Sequence, residues 1–451
     1  MAEGGEETIS ELKGKGFYIQ DGKFIPPLLA GDIVFDGYEI DSNDGINRGY
    51  LVTSDNKQIW RYNGGFYESD GEDVIKTITQ LIVGERCKSH WKNEVIDWVK
   101  DNGALRIDRE IFNSDTHLVN TKNGIYNIRT KEFEEHDPSH YFISQIPVKY
   151  DPDAKINHIE QFFQDVLYPE DIPVLQELTG YLFYRAYPFQ KAFMFDGDGS
   201  NGKSTLINLL ITLVGQDNIS NVSLQDLIYK RFARSQLYNK MANFYSDLSD
   251  NAVKDTGVFK MLTGGDMIFA DQKFKEPFSF HNYAKLVFSC NKLPMSRDDT
   301  DAYFRRWILI SFPNKFEGKD CDPNIIKKLT VEPELSGLFN WALEGLQRLL
   351  KNGGFSHSKS TDVIRDEYER KSSPILAFVK DCLEQKPNSK ETKEAVYNCY
   401  KEYCSKEKLP IKANNSFARE LKQHVINLED EQRGNGKRGW MGIKIKGEQQ
   451  S

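Results

Sequence analysis

A glycine-rich turn between an apolar run and a helix-forming run constrains the fold of this chain more than any other feature. Residues 192–195 read as a strand, and the run after Ser204 places leucines on one face of a helix. Between them, Gly197–Ser204 matches the pattern Gly-x4-Gly-Lys-Ser. Glycines let backbone N–H groups face a polyphosphate at a helix N-terminus, where the helix dipole favours anions. This strand–turn–helix unit predicts an α/β fold with a phosphate-binding loop.

The pattern gives a chemical task to the residues of the loop. The Lys203 ammonium can neutralise β- and γ-phosphate oxygens, and the Ser204 hydroxyl can bind Mg²⁺. We therefore predict ATP and Mg²⁺ as ligands. The residues predicted to bind ATP are Gly197, Asp198, Gly199, Ser200, Asn201, Gly202, Lys203, Ser204 and Thr205.

Four polar residues further along the chain stand beside predicted strands. Asp247 follows a modestly apolar run over 241–245, and its carboxylate could hold Mg²⁺ or polarise a water. Asn291 ends the strand predicted over Lys285–Cys290, where an amide could orient a water. Arg305 and Arg306 precede another apolar strand, where a guanidinium could stabilise transition-state charge. Taken singly, each has an ordinary alternative: a turn or cap residue for Asp247 and Asn291, and a structural ion pair for the arginines.

Taken together, the order and spacing of these motifs resemble superfamily 3 helicases, specifically the phage, plasmid and poxvirus primase-helicase family. That family has a P-loop, a short Walker B strand, a segment close to Lys-x-Leu-Thr-Gly-Gly-Asp before a basic-aromatic hairpin, a strand ending in Asn-x-x-Pro, and an Arg-Arg-Trp finger. After its P-loop and Walker B strand, this chain has the matching segments Lys260–Asp266, Lys273–Lys275, Asn291–Pro294 and Arg305–Trp307. The likeness covers residues 55–446, approximately.

The resemblance implies an AAA+-like ATPase core and roles for the matching residues. Lys203 and Ser204 would bind phosphate and Mg²⁺, Asp247 would be the Walker B acid, and Asn291 would be sensor 1. The catalytic set is completed by the two arginines. Arg306, with Arg305 beside it, would act on the ATP of a neighbouring subunit, which implies a ring, usually a hexamer in the family.

The same resemblance implies a DNA contact inside the ring. Lys273 and Lys275, flanking Phe274, would sit on a hairpin that points into the pore, with ammonium groups on phosphates and the ring against sugar or base. A solvated hairpin is the alternative.

Two positions depart from the family pattern. The family's Walker B acid is commonly Glu, whereas this chain has Asp247 preceded by Ser246, so one carboxylate would serve both metal and water unless Asp250 helps. The family also tends to have Leu-x-Gly-Lys before this strand, whereas this chain has Leu237–Lys240 with asparagine in place of glycine. Asparagine tolerates a left-handed backbone, so we expect the turn to survive.

Composition and periodicity divide the chain into four predicted segments. Residues 1–155 combine strand-like runs around Asn-Gly dipeptides with a helical run over Glu72–Asn102, which indicates an α+β domain. Residues 156–352 would form the ATPase domain, led by a helical pattern that breaks near Pro169 and Pro173. Residues 353–374 read partly as a polar linker or exposed helix, and residues 375–451 as a separate small unit.

The last unit is basic although the whole chain has a net charge of −8. From residue 375 onward, fifteen Lys and Arg stand against eleven Asp and Glu. Predicted helices over Lys393–Lys406 and Ser416–Ile426 followed by a hairpin suggest a winged-helix unit, as the family resemblance also implies, and its cations could contact duplex DNA. A solvated hairpin or a subunit contact is the alternative. The predicted DNA-contacting cations of this hairpin are Arg433, Lys437, Arg438, Lys444 and Lys446.

Several classes of site are disfavoured. The six cysteines form no Cys-x-x-Cys pair and no His/Cys cluster has zinc-site spacing. No apolar run approaches the roughly 18 residues of a membrane span, and the first ten residues lack the features of a secretory signal, so we expect a cytoplasmic protein. The segment before the P-loop resembles the family's connecting region and not a primase palm, so we expect no primer synthesis by this chain. Either a primase or polymerase is a separate partner, or this chain is the helicase part of a longer protein.

The principal hypothesis is a replicative DNA helicase of a virus or plasmid. It would couple ATP hydrolysis to movement of a hexameric ring on single-stranded or forked DNA, 3′ to 5′ if it behaves like its superfamily. Three alternatives stay open: a DNA packaging or remodelling ATPase, a non-motor origin-binding initiator or scaffold, and, less favoured, a small-molecule P-loop kinase.

Overall fold

The computed structural model describes residues 18–20, 23–35, 49–253, 255–273, 276–296, 298–318, 321–357, 359–407, 409, 411–432 and 438–446. At its centre is a parallel sheet with the strand order β11-β12-β15-β10-β16. The five strands are β10 (Ala192–Asp196), β11 (Ile219–Ser220), β12 (Ala242–Tyr245), β15 (Lys285–Cys290) and β16 (Trp307–Ser311). The prediction of a mixed α/β fold is confirmed, with strands at the four predicted positions β10, β12, β15 and β16, whereas β11 was not predicted.

Both faces of this sheet are buried, which explains why its strands are almost continuously apolar. In β10, Phe193 and Phe195 enter one hydrophobic cluster. Ala192 and Met194 point the other way and enter a second cluster with Trp307. The alternation follows from the period of two residues along a strand.

Helices cover both faces of the sheet and one hairpin projects from it. The helices are α4 (His158–Val166), α5 (Ile172–Tyr181), α6 (Lys203–Val214), α7 (Leu224–Tyr229), α8 (Gly257–Gly264), α9 (Asp301–Phe304), α10 (Ile325–Leu329) and α11 (Glu332–Asn352). The hairpin pairs β13 (Met267–Ala270) with β14 (Phe278–His281). The predicted broken helix before the sheet is confirmed as α4 and α5.

The described residues before position 150 form small sheets and three helices. The strands are β1 (Ile19–Gln20), β2 (Lys23–Phe24), β3 (Tyr50–Thr53), β4 (Ile59–Tyr62), β5 (Tyr67–Glu68), β6 (Arg106–Ile107), β7 (Leu118–Thr121), β8 (Gly124–Asn127) and β9 (Phe133–Glu134). The helices are α1 (Pro26–Phe35), α2 (Gly71–Val83) and α3 (Ser89–Asp101). Both predicted Asn-Gly hairpins are present, as β4–β5 and β7–β8.

The helical run predicted over Glu72–Asn102 is two helices instead of one. Gly84 follows α2 with a φ of 70°, a left-handed backbone angle that favours glycine and ends the helix. Five residues then separate α2 from α3. The apolar periodicity is similar on both sides of the break, so periodicity alone did not reveal it.

The C-terminal residues follow the order helix, strand, helix, helix, strand, strand. The elements are α13 (Pro374–Cys382), β17 (Leu383–Thr392), α14 (Lys393–Lys406), α15 (Asn414–His424), β18 (Glu429–Gln432) and β19 (Arg438–Ile445). The strands form an antiparallel sheet with β19 in the middle, over a separate hydrophobic cluster. The hairpin predicted here is confirmed as β18–β19, and its tip lies outside the described residues.

Most of the predicted linker is a helix, α12 (Thr361–Ser372). Ile364 and Tyr368 are buried and belong to the cluster that contains Trp307 of the central sheet. Residues on both sides of position 155, such as Val119 and Phe163, also share one cluster. The boundaries between the four predicted segments stay predictions. No helix in the described part of the chain has the length and hydropathy to cross a membrane.

Two contacts fix the leading helices against α11. The buried Glu334 carboxylate accepts hydrogen bonds from the backbone N–H groups of residues 157–159 at 3.1–3.2 Å, which caps the start of α4. Gly180 and Gly345 allow α5 and α11 to touch backbone to backbone, because a Cβ on Gly180 would lie 2.1 Å from the Ala342 carbonyl oxygen. These contacts hold the helices that precede β10.

We predict that Gly180→Ala lowers the free energy of unfolding by about 2 kcal/mol or more, because the added methyl group cannot fit without separating the two helices. Gly354→Ala is the control, since a Cβ there meets nothing within 4 Å. Chemical denaturation of both variants measures the effect. Equal stability of the two variants would show that α5 and α11 are not in close contact.

Candidate functional site

The loop between β10 and α6 leaves no room for a side chain at its first glycine, Gly197. Gly197 has a φ of 151°, and a Cβ there would lie 2.3 Å from Asn201 Nδ2 and 2.8 Å from the Phe312 carbonyl oxygen. Gly202 has a φ of 90° immediately before α6 begins. Both angles belong to the region that favours glycine. The glycines predicted from the pattern therefore stand where the backbone requires them.

Backbone donors at this loop have no acceptor. Among the described residues, none accepts a hydrogen bond from the backbone N–H groups of Gly199–Thr205. These groups lie at the N-terminus of α6, where the helix dipole favours an anion. The Ser204 hydroxyl is exposed in the first turn of the same helix. This donor set fits a polyphosphate, with Ser204 available to a cation bound by it.

The Lys203 ammonium lies inside the loop. It donates to the carbonyl oxygens of Gly197 at 2.5 Å and Asp198 at 3.0 Å, and to Asn201 Oδ1 at 2.9 Å. Burial lowers its pKa, and the nearby carboxylates of Asp196, Asp198 and Asp247 act in the opposite direction. Because neutral carbonyl and amide oxygens are its only direct acceptors among the described residues, the ammonium is suited to an incoming anion.

The strand order brings Asn291 and Asp247 to the same edge of the sheet as the loop. β15 lies between β10 and β12, and the carboxyl ends of parallel strands meet at one edge. Asn291 Oδ1 is 3.4 Å from Lys203 Nζ. Asp247 is exposed, with a φ of 61°, and the next residue, Leu248, donates from its N–H to the Ser289 carbonyl oxygen at 2.7 Å. The residues predicted as Walker B acid and sensor 1 therefore stand beside the loop.

The structure describes both positions at which the sequence departs from the family pattern. Asn239 has a φ of 57°, so it does adopt the left-handed conformation that we expected. Asp250, the second acid considered, forms an ion pair with Lys292 at 3.1 Å and is exposed. This ion pair joins Asp250 to Lys292, the residue that follows Asn291.

Arg305 and Arg306 lie at the opposite edge of the sheet. β10 and β16 are parallel, with Ala192 beside Trp307 and Asp196 beside Ser311. The arginines precede Trp307, whereas the loop follows Asp196. Five residues at about 3.3 Å each put roughly 16 Å of strand between the two sites. The arginines therefore cannot reach the loop of their own chain.

The two arginines differ in their surroundings. Arg306 is 8% exposed, its Nε donates to Thr263 Oγ1 at 3.0 Å and its Nη1 donates to the Ala302 carbonyl oxygen. Arg305 is exposed. Burial lowers the pKa of Arg306, and Arg305 lowers it further. Thr263 belongs to the Thr-Gly-Gly-Asp segment, so the structure joins two motifs that are 43 residues apart.

Sequence reasoning missed two residues beside this pair. Lys191 donates from Nζ to the Arg305 carbonyl oxygen at 2.5 Å, and its pKa is lowered by burial and by the two arginines. His357 stands near Lys191, and burial lowers its pKa to about 4. No carboxylate of the described residues forms an ion pair with Lys191, Arg305 or Arg306. The position of Lys191 next to β10 was the available signal in the sequence.

The hairpin β13–β14 carries Lys273 in its exposed turn, whereas Phe274 and Lys275 lie outside the described residues. Met267 and Phe269 are 58% and 59% exposed on one face of β13. Where β13 enters the turn, the Asp271 carboxylate accepts from Arg231 Nε at 2.5 Å. On the described part of the hairpin, Met267, Phe269 and Lys273 thus expose apolar and basic side chains.

The basic C-terminal hairpin is only partly described. Arg438, Lys444 and Lys446 are exposed on or next to β19, and Arg433 and Lys437 lie outside the described residues. Acidic residues of β18 pair with other lysines of the unit. These pairs are Lys390 with Glu431, Lys393 with Asp430, and Lys422 with Asp430. Arg438, Lys444 and Lys446, in contrast, form no ion pair within the described residues.

Metal and thiol chemistry find little support outside the loop. No group of three His, Cys, Asp or Glu that could hold a metal ion occurs within the described ranges. The six cysteines are free, and burial raises the pKa of Cys290 to about 12. A raised pKa disfavours the thiolate form that a reactive cysteine needs, so Cys290 does not resemble a reactive thiol.

Family models match three successive parts of the chain. Residues 44–168 match "D5 N terminal like", residues 195–306 match "Family of unknown function (DUF5906)", and residues 370–451 match "Poxvirus D5 protein-like". The two D5 models thus flank the segment that contains the loop and the arginine pair. The chain is a member of the phage, plasmid and poxvirus primase-helicase family. The resemblance predicted from the motifs is confirmed.

Two viral relatives are each named "Putative helicase". The protein from Acanthamoeba polyphaga mimivirus is 24% identical over 357 residues, which cover 72% of this chain and 36% of the relative. The protein from Invertebrate iridescent virus 3 is 24% identical over 335 residues, which cover 63% of this chain and 35% of the relative. This family member thus spans about a third of the length of these relatives.

Solved structures of the NrS-1 C terminal region are also similar. One apo structure covers 94% of this chain and 100% of its own, with 11% identity and a TM-score of 0.48. Another covers 92% of this chain and 99% of its own, with 12% identity and a TM-score of 0.49. Values this low carry no argument about function.

We predict that Thr263→Val lowers the free energy of unfolding by about 2 kcal/mol, because the buried Arg306 guanidinium loses an acceptor that a methyl group cannot replace. Thr263→Ser keeps the hydroxyl and serves as the control. Chemical denaturation compares the two variants. A Val variant as stable as the Ser variant would mean that this hydrogen bond does not hold Arg306.

Proposed function

We propose that this chain is the ATPase motor of a replicative DNA helicase of a virus or plasmid, and that it works as a ring, usually a hexamer in its family. The observation that carries the proposal is the separation of two incomplete half-sites. Within the described ranges, no arginine is bonded to the loop that holds Lys203, and no carboxylate pairs with Arg305. A neighbour in a closed ring brings one half-site to the other.

The residues around the loop would prepare ATP for hydrolysis. ATP with Mg²⁺ supplies the phosphoanhydride bond whose hydrolysis drives movement. The free N–H groups of the loop and the Lys203 ammonium bind phosphate oxygens, and Ser204 with Asp247 holds the metal. Asn291 and Asp247 orient the attacking water from the neighbouring strand ends. Asp247 both holds the metal and orients the water, because Asp250, the next acidic residue in the sequence, is paired with Lys292.

The edge with the arginines would complete the site of the neighbouring subunit. Arg305 is exposed and acts on the charge that develops at the phosphates. The hydrogen bond to Thr263 holds Arg306 inside its own chain. Arg306 therefore fixes the local structure around Arg305 and does not itself contact the ATP of the neighbour. Lys191 adds a second cation beside Arg305. The absence of carboxylate partners for these groups within the described residues supports an anionic ligand.

Two surfaces would contact DNA. The hairpin β13–β14, with Lys273, Phe274 and Lys275 at its turn, lines the pore and binds single strands through phosphates and base faces. The C-terminal unit has the element order of a winged helix, with β18–β19 as the wing and α15 as the groove-reading helix. The cations Arg433, Lys437, Arg438, Lys444 and Lys446 would bind phosphates, and α15 exposes Asn414, Asn415, Arg419 and Gln423.

The family supports this function over the alternatives. The motif resemblance supports an AAA+-like core, superfamily 3 chemistry and 3′ to 5′ movement. Helicase activity is supported both by that resemblance and by the names of the viral relatives. An initiator or scaffold would bind ATP without steady-state phosphate release. A packaging or remodelling ATPase would be stimulated by duplex DNA without separating strands. Unwinding assays on forked substrates of both polarities distinguish these outcomes, and a primase or polymerase is the expected partner in replication.

Mixed assemblies test whether two subunits share each site. Lys203→Ala and Arg305→Ala proteins should each lose ATP hydrolysis at least about 10³-fold, because one lacks the phosphate-binding cation and the other the group acting in trans. When equal amounts are mixed before assembly, about a quarter of the subunit interfaces combine an intact loop with an intact arginine. We therefore predict that phosphate release partly returns in the mixture.

The control mixes two differently tagged preparations of Arg305→Ala, which should stay inactive. Native mass spectrometry verifies that the assemblies contain both proteins. Mixed assemblies without any phosphate release would contradict a shared site.

Lys273→Ala should keep the basal rate of ATP hydrolysis and lose stimulation by single-stranded DNA, because the side chain is exposed on the hairpin and remote from the loop. Lys351→Ala, an exposed lysine at the end of α11, is the control. Phosphate release is measured with and without a single-stranded oligonucleotide. Equal loss of basal and stimulated rates in Lys273→Ala would argue against a role of the hairpin in DNA binding.

A further inference from the structure

A second lysine stands at the edge of the sheet that carries the phosphate-binding loop. Lys371 of α12 forms an ion pair with Asp196 Oδ2 at 2.8 Å and donates to Ser311 Oγ at 2.6 Å. It also pairs with Glu367 Oε1 at 3.0 Å. Asp196 is the last residue of β10, immediately before Gly197, and is 8% exposed. The three N–H groups of the ammonium are therefore all engaged next to the loop.

The same helix contacts two other parts of the candidate site. Tyr368 donates its hydroxyl proton to the Pro294 carbonyl oxygen at 2.9 Å, at the end of the segment that begins with Asn291. The Tyr303 hydroxyl is 2.9 Å from the Tyr368 hydroxyl, and Arg365 pairs with Asp301 of α9. α12 thus reaches from the arginine edge to the loop edge of one subunit.

α12 is also joined firmly to the C-terminal unit. Arg370 pairs with Asp381 of α13, and Lys380 of α13 pairs with Asp366 at 3.0 Å. Ser373 Oγ accepts from the Leu376 N–H at 3.2 Å, which caps α13, and it is 3.2 Å from His424 Nε2 of α15. A shift in the last turn of α12 is therefore passed to two helices of the C-terminal unit.

We propose that Lys371 is a positioning residue of the nucleotide site, and that it couples occupancy of the loop to the C-terminal unit through α12. The inference rests on the proposed function, because it requires that the loop binds ATP. It adds a route by which the ATP state of a subunit acts on the DNA-binding surface of the same subunit.

The local charges give this coupling a physical cause. Asp196, Glu367 and Asp171 lie close to Lys371 and Lys359, and burial raises the pKa of Asp171 to about 6. A triphosphate at the loop adds negative charge near carboxylates that already compete for two ammonium groups. Because opposite charges attract strongly in a partly buried site, Lys371 would move toward the loop and away from Glu367. The bound state then differs from the free state in the contacts of α12, as any coupling requires.

Hydrogen exchange of the full chain tests the coupling with a non-hydrolysable ATP analogue and Mg²⁺. In the wild-type protein we expect protection of residues 199–206 and a nucleotide-dependent change in exchange over residues 372–382. Lys371→Met should keep the first and lose the second. Lys359→Met is the matched control. Lys359 pairs with Glu367 at 2.7 Å and, within the described residues, forms no hydrogen bond with Asp196, so both responses should remain.

Several outcomes separate the possible failures. No protection of residues 199–206 in the wild-type protein would refute ATP binding and thus the proposed function. Protection there with no change over residues 372–382, or the same change in Lys371→Met, would overturn the coupling alone. If Lys371→Met does not fold, Ser311→Ala decides: it removes one acceptor of Lys371, and an undiminished response over 372–382 would overturn the inference.

Discussion

The parallel register of β10 with β16 is the constraint on which the candidate site depends. With Ala192 beside Trp307, a loop that follows β10 and an arginine pair that precedes β16 must lie at opposite edges of the sheet. No rotamer change can bring Arg305 to the loop of its own chain, because roughly 16 Å of strand separates them. The parallel register of β10 with β15, its other neighbour, puts Asn291 next to Lys203. The chain therefore holds the two proposed half-sites at opposite ends of the same strands.

The cations of the chain fall into two groups that differ in their partners. Lys203, Lys191 and Arg305 have no ion pair with a carboxylate among the described residues, and each stands at an edge where we propose a phosphate. Lys371, Lys393 and Lys422 are paired with acidic residues within the same chain. Lys203 and Lys191 are at least partly buried, and an unpaired cation there is costly unless a ligand supplies the opposite charge or, as for Lys285, backbone carbonyl oxygens accept its hydrogen bonds. Paired cations instead join elements to one another.

Local features of the fold could be predicted from the sequence, whereas contacts between distant residues could not. The loop, β15 and α14 follow from short patterns, and the left-handed Asn239 follows from the backbone preference of asparagine. The end of α2 at Gly84 was missed because the apolar period continues across it. The burial of Arg306 depends on Thr263, 43 residues away, and no local pattern reveals such a pair. For the same reason Lys371 gave no signal in a segment that resembled a polar linker.

The shared site requires that the triphosphate lies between the loop of one subunit and Arg305 of the next. An electron cryo-microscopy structure of the full chain with Mg²⁺ and a non-hydrolysable ATP analogue measures this position. The account predicts a nucleotide on the N–H groups of Gly199–Thr205, with Lys203 turned toward the phosphates and Arg305 of an adjacent subunit at the terminal phosphate. A nucleotide bound elsewhere, or assemblies in which Arg305 faces no nucleotide, would contradict it.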